Sequence, residues 1–226
     1  EGRKAMLAPL QEMNGDWVAY YPKNMPLGQK QQLYKQAYQK IQAIFEQNGV
    51  GRNQVWWVFA ANGLSSPDVP ENNFEYYYPG NDAVDIVGFA SYNYGYCTAT
   101  YKVGEYDYGR WENYDTLYEP YIRRMEIMAP GKPIIITETG TSAIFTKDDR
   151  PDRFNYAMKA QWFYQNYSFL ARQRNVLGVF YFDINEFDGI TCDLRIPREN
   201  FTAYRDVLTQ EGYRYLTISE LRGFLP

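Results

Sequence analysis

Apolar positions along this 226-residue chain fall into two kinds of segment, short apolar-rich runs and longer stretches at helical spacing. The short runs occupy residues 5–10, 55–61, 82–92, 132–141 and 176–184, of which 55–61 is continuously apolar. Turn residues mark their limits at Asn62-Gly63, Pro133 and Gly140, which predicts short strands, those around residues 58 and 135 buried on both faces as in a parallel sheet. The spaced stretches predict amphipathic helices. Residues 28–49 carry Leu33, Tyr34, Ala37, Tyr38, Ile41, Ile44 and Phe45 with lysines and glutamines between, and Gly49 closes the helix. Further helices are expected over 114–129, over 152–174 and from about residue 199. Between residues 62 and 80 the pattern instead predicts a long loop, running through Tyr76-Tyr77-Tyr78-Pro79-Gly80.

Strand, then helix or loop, repeats five times. The predicted class is α/β, with parallel strands joined by right-handed crossovers, as in a (β/α)8 TIM barrel. Such a barrel takes eight units and roughly 250 residues. Residues 1–226 are therefore expected to form a single barrel domain that is incomplete.

Composition narrows the function. With 45% hydrophobic and 22% charged residues, the chain is expected to fold around a sizeable core. No apolar run approaches the roughly 20 residues of a membrane span. A net charge of -4 without a basic cluster argues against nucleic acid as a partner. Histidine is absent, which removes the commonest metal ligand and the usual base for a Ser or Cys nucleophile. Acid–base work therefore falls to carboxylates, and no metal or cofactor is expected. An aromatic content of 18% with 23 tyrosines suits a saccharide site, although most of these rings are expected in the core.

Two carboxylates stand out by position. Pro133 followed by Ile134, Ile135 and Ile136 delivers Glu138 to a strand end and into a loop, and Glu12 follows the first apolar run in the same way. In barrels of parallel strands that end faces the active site. One such acid would serve equally as a loop cap. Two, each beside residues able to bond sugar hydroxyls, suit a glycosidase in which one protonates the leaving oxygen while the other attacks or directs water. Cys97 and Cys192 fall in loops after different strands, so a disulfide and free thiols are equally open. Asn166-Tyr-Ser and Asn200-Phe-Thr have the pattern of glycosylation acceptors. Residues 1–4 are charged and lead directly into the first expected strand, so no signal peptide is expected within these 226 residues.

The sequence resembles glycoside hydrolase family 26, the retaining β-mannanases with related β-glucanases and β-xylanases. Pro9-Leu10-Gln11-Glu12-Met13-Asn14-Gly15-Asp16-Trp17 is similar to the signature at the family's fourth strand. Tyr77-Tyr78-Pro79-Gly80-Asn81-Asp82 and Val84-Asp85-Ile86-Val87-Gly88 look like its approach to strand six, and Ile136-Thr137-Glu138-Thr139-Gly140 looks like strand seven. Gln11, Ala90 and Tyr181 or Phe182 stand where the family has histidine, an acidic residue and tryptophan.

The resemblance implies a TIM barrel of which this chain supplies roughly strands four to eight, the gap falling on the N-terminal side and being filled by an N-terminal portion or by another polypeptide. It implies Glu12 as acid/base, Glu138 as nucleophile and Tyr92 touching that nucleophile. Gln11, Asn14, Trp17 and Tyr181 are expected to meet substrate. The expected partner is a β-linked polysaccharide, and the expected location is extracellular. The alternative is a non-catalytic carbohydrate-binding or structural protein derived from such a barrel.

Overall fold

The computed structural model describes residues 4–97, 110–146, 149, 154–184, 193–214, 217, 219–220 and 223. Five strands, β1 (Ala5–Leu7), β2 (Val55–Asn62), β3 (Ile86–Asn93), β4 (Ile134–Thr141) and β5 (Val176–Tyr181), form one sheet in chain order. The strands are parallel, with Ala5 opposite Val55 and Val58 opposite Ile86, which is the partial (β/α) barrel that the alternation predicts. The helices are α1 (Leu27–Gln47), α2 (Tyr114–Leu117), α3 (Glu119–Met128), α4 (Tyr156–Ala171) and α5 (Arg198–Gln210). The single helix expected over 114–129 is two, because Pro120 brings no N–H to the first turn of α3 and the chain breaks at Tyr118.

Burial separates the strands. The middle three are largely sealed, with seven of the eight residues of β2 buried, whereas β1 and β5 contain no buried residue. Phe180 of β5 is 53% exposed. Each of these two strands has a sheet neighbour on one side only among the described residues.

The chain divides into two compact units. One comprises Glu1–Ala90, Tyr121–Thr137 and Leu216–Pro226, the other Ser91–Pro120 and Glu138–Tyr215, so β3 and β4 begin in the first and end in the second.

In the first unit the two-residue period of β2 sorts its side chains. Trp57 and Phe59 meet Tyr38, Phe45 and Tyr34 of α1, with ring centroids 6.4, 5.3 and 6.2 Å apart, while Trp56, Val58 and Ala60 point to the opposite face. Gly49, at φ 81°, ends the α1 region in the left-handed conformation that glycine adopts cheaply. Buried Asp85 ties the start of β3 to β2 by accepting from the Trp57 N–H at 2.8 Å, and it pairs with Arg52 at 2.9 Å. A Cβ at Gly88 would stand 2.5 Å from the Ile135 carbonyl, so glycine here lets β3 approach β4.

In the second unit Asn155 caps α4 by accepting from the Met158 N–H at 3.1 Å. The helix buries Trp162, Phe163, Tyr167 and Leu170, and Tyr204 of α5 packs on Phe163 and Tyr167 at 5.0 and 5.5 Å. Asn166 and Asn200 are buried, and their side-chain amides donate to the Trp162 and Tyr156 carbonyls. Both are therefore core residues of the fold and not accessible glycosylation sites. Cys97 is disulfide-bonded and lies in a buried cluster with Ile144. The other cysteine, Cys192, lies outside the described residues.

Candidate active site

The first unit carries Glu12, five residues beyond β1. Leu10 and Glu12 both hold positive φ, 55° and 57°, a region that costs a non-glycine residue about 1–3 kcal/mol. What holds Glu12 there is a pair of backbone bonds. Its N–H donates to the Ala60 carbonyl of β2 at 2.8 Å, and its carbonyl accepts from the Gly15 N–H at 2.9 Å. The acid is therefore registered against the neighbouring strand and is not carried on a loose loop.

Two aromatics flank it. Trp17, 50% exposed, donates from Nε1 to Glu12 Oε2 at 2.9 Å. Tyr20, 43% exposed, lies near enough that the Glu12 charge, after burial, raises its hydroxyl above the ordinary value. In the sequence Tyr20 carries no signal beyond the aromatic pair Tyr20-Tyr21 in the loop after Glu12.

Asn14 has a different role from the one expected. Fully buried, it donates to the Asn62 carbonyl and to Ser65 Oγ at 2.8 and 3.1 Å, and its Oδ1 accepts from the Asn62 N–H at 2.9 Å. Its carbonyl takes the Asn72 amide and the Ser66 N–H. Such a residue braces the Glu12 loop against the end of β2 and offers no surface to a sugar. Gln11 is exposed on that loop.

Glu138 lies in the second unit, inside β4 and not in a loop after it, because the strand continues to Thr141. Alternation puts Glu138 and Thr139 on opposite faces, and buried Thr139 shares a 2.7 Å hydrogen bond with Tyr118. The Tyr92 hydroxyl donates to Glu138 Oε2. Neighbouring rings fix Tyr92: Tyr94 stacks on it at 5.5 Å, and Phe182 meets it edge-on at 5.7 Å. Buried Asn93 ties the strand ends together by donating to Thr141 Oγ1 at 2.8 Å, and its Oδ1 accepts from the Gly95 and Glu112 N–H groups.

Tyr181, expected to stack on sugar, faces the helices. Its ring packs on Phe163 and Tyr204, each at 5.6 Å, and its hydroxyl donates to the Leu194 carbonyl at 2.6 Å. Burial raises that hydroxyl well above its ordinary value. One step along the chain Phe182 points the other way, toward Tyr92. No group of three or more His, Cys, Asp or Glu arranged to hold a metal occurs among the described residues, and no helix there is long and apolar enough to cross a membrane.

A family model described as glycosyl hydrolase family 26 matches residues 4–107, a stretch that includes Glu12 and Tyr92 and ends before Glu138. Endoglucanase H of Acetivibrio thermocellus is 29% identical over 177 residues, 73% of this chain and 18% of that protein. A mannan endo-1,4-beta-mannosidase of Bacillus subtilis is 28% identical over 147 residues, 63% of this chain and 32% of that protein. The catalytic domain of the Bacillus sp. JAMB-750 GH26 endo-beta-1,4-mannanase shares the fold. Its TM-score is 0.55 at 15% identity, over 98% of this chain and 53% of that domain. The chain thus spans a third or less of these two curated relatives and about half of the solved domain.

Proposed function

The chain is related to glycosyl hydrolase family 26, and we propose that it carries the catalytic groups of a retaining, endo-acting glycoside hydrolase for a β-linked polysaccharide. The observation that carries this reading is the Tyr92 hydroxyl donating to Glu138, a phenol braced by two rings and aimed at a strand-borne carboxylate. Donation from the hydroxyl fixes the direction of the Glu138 carboxylate, which is what a carboxylate nucleophile needs.

In the first step Glu12 gives its proton to the glycosidic oxygen while Glu138 attacks the anomeric carbon. The bond to the leaving sugar breaks and a glycosyl ester forms. Glu12, now ionised, takes a proton from water, the hydroxide attacks the same carbon, and the ester bond breaks to free Glu138 with net retention. Water is the sole co-reactant. The exposed rings of Trp17 and Tyr20 supply flat apolar surface on which sugars stack.

β-Mannan is the favoured polymer because a Bacillus relative is named for mannan hydrolysis, with β-glucan or xylan next. A disulfide at Cys97 suits an oxidising compartment and supports secretion. The unburied edge strands β1 and β5 support completion of the barrel by further polypeptide.

A reducing-sugar screen over mannan, mixed-linkage glucan and xylan tests the reading. Release from mannan, lost in Glu138→Gln, is expected. Retention on a polysaccharide gel without release from any of the three would contradict hydrolysis and favour the carbohydrate-binding alternative.

A further inference from the structure

Trp17 is half exposed, so burial alone does not fix its ring. Two local features do. Its Nε1 donates to Glu12 Oε2 at 2.9 Å, and its six-membered ring lies directly over Gly15, where a Cβ would stand 2.3 Å from Cζ2 and 2.6 Å from Cη2. Gly15 in turn donates its N–H to the Glu12 carbonyl. Acid, glycine and indole therefore form one closed turn, pinned to β2 through the bond from Glu12 to Ala60.

We propose that Trp17 is a positioning residue for the general acid, its indole N–H fixing the direction in which the Glu12 carboxyl presents its proton. The proposal rests on Glu12 being that acid. Indole N–H can only donate. The same bond strengthens when the carboxyl ionises, because charge-assisted hydrogen bonds are about twice as strong as neutral ones. Trp17 thus makes Glu12 the readier acid while holding its direction. The nearby Tyr20 hydroxyl, itself raised by burial and by the Glu12 charge, stays neutral throughout.

Trp17→Phe in the full chain keeps an aromatic ring and removes the N–H. For polymer, kcat is expected to fall about tenfold, the worth of one hydrogen bond to a charged group. An aryl glycoside with a good leaving group should be nearly spared, because it needs little protonation. The alkaline limb of the kcat/KM profile should move to higher pH, since the acid loses a bond that favoured its ionised form. Independently of turnover, the Trp17 indole resonance in the 15N spectrum should titrate through the carboxylate range, and Glu12→Gln should abolish that titration.

A rise in KM with kcat and the alkaline limb unmoved, or an indole signal indifferent to pH, would reduce Trp17 to a sugar platform and overturn the proposal. Failure of the underlying reading looks different. In that case Glu12→Gln itself would cleave polymer at the wild-type rate, whatever Trp17→Phe does.

Discussion

At the residue scale, Glu138 depends on what holds it. Tyr92→Phe removes one hydroxyl and leaves the ring stacked on Tyr94 and edged by Phe182. The lost bond is to a charged group and is worth about 1.5–3 kcal/mol. We expect kcat on polymer to fall by about 10- to 100-fold with an unchanged melting temperature, measured by steady-state kinetics beside thermal unfolding. A variant with wild-type kcat would show that the bond does not matter to turnover.

The placing of Glu12, Glu138 and Tyr92 at or beyond the C-terminal halves of strands is legible in the sequence, because each follows or ends a short apolar run; their catalytic roles remain the proposal made above. Asn14 and Tyr181 were misread for want of tertiary partners. An asparagine beside an acid looks like a sugar ligand until Asn62, Ser65 and Asn72 consume its amide and carbonyl. For Tyr181 and Phe182 the sequence supplies alternation but not its phase; that is set by Phe163 and Tyr204, which claim Tyr181 for the helix side.

At the element scale, α4 brings a lysine into the core. Lys159 is 1% exposed and donates from Nζ to the carbonyls of Arg195 and Asp193 at 2.7 and 3.4 Å. It thereby holds the 193–195 turn, whose Leu194 packs near Gly140, two residues beyond Glu138. Burial pushes its ammonium down from 10.5 to about 7, against the pull of Asp193 and Asp183. A lowered lysine means that between about 7 and 10.5 the unfolded chain binds a proton that the folded chain does not. Stability from this group therefore rises with pH across that window, and below it the full cost of burying the charge is present. Lys159→Met should remove the rise, so the melting temperature of wild type relative to the variant should climb from pH 7 to pH 10. A difference that is flat with pH would mean that Lys159 stays charged in the fold. Nothing in the sequence marked this lysine, since its position on α4 looks like any solvated face. The order of helices and strands is readable in the sequence, as is the stop at Gly49, because backbone chemistry dictates them locally, whereas the break at Tyr118 and the continuation of β4 past Glu138 are not.

At the scale of the whole molecule, the contrast among strands is the main physical fact. β2, β3 and β4 are largely buried, while β1 and β5 are not, and unpaired strand edges with exposed apolar side chains such as Phe180 are costly to leave in water. We read these edges as the places where further polypeptide completes a barrel. For the chain by itself, amide exchange in β1 and β5 should run through cheap local openings, whereas β2 to β4 should exchange only with global unfolding. Equal protection in all five strands would mean that the edges need no cover.

The central claim is that Glu138 forms a covalent bond to sugar during turnover, and trapping that ester tests it most directly. Incubation with a 2-deoxy-2-fluoro-mannosyl fluoride slows both steps by destabilising the oxocarbenium-like transition state, and the good leaving group lets the ester accumulate. Peptide mass spectrometry should then find one fluoromannosyl group, attached to the peptide that carries Glu138 and absent from Glu138→Gln. An adduct on any other residue, or no adduct from protein that hydrolyses mannan, would contradict the account.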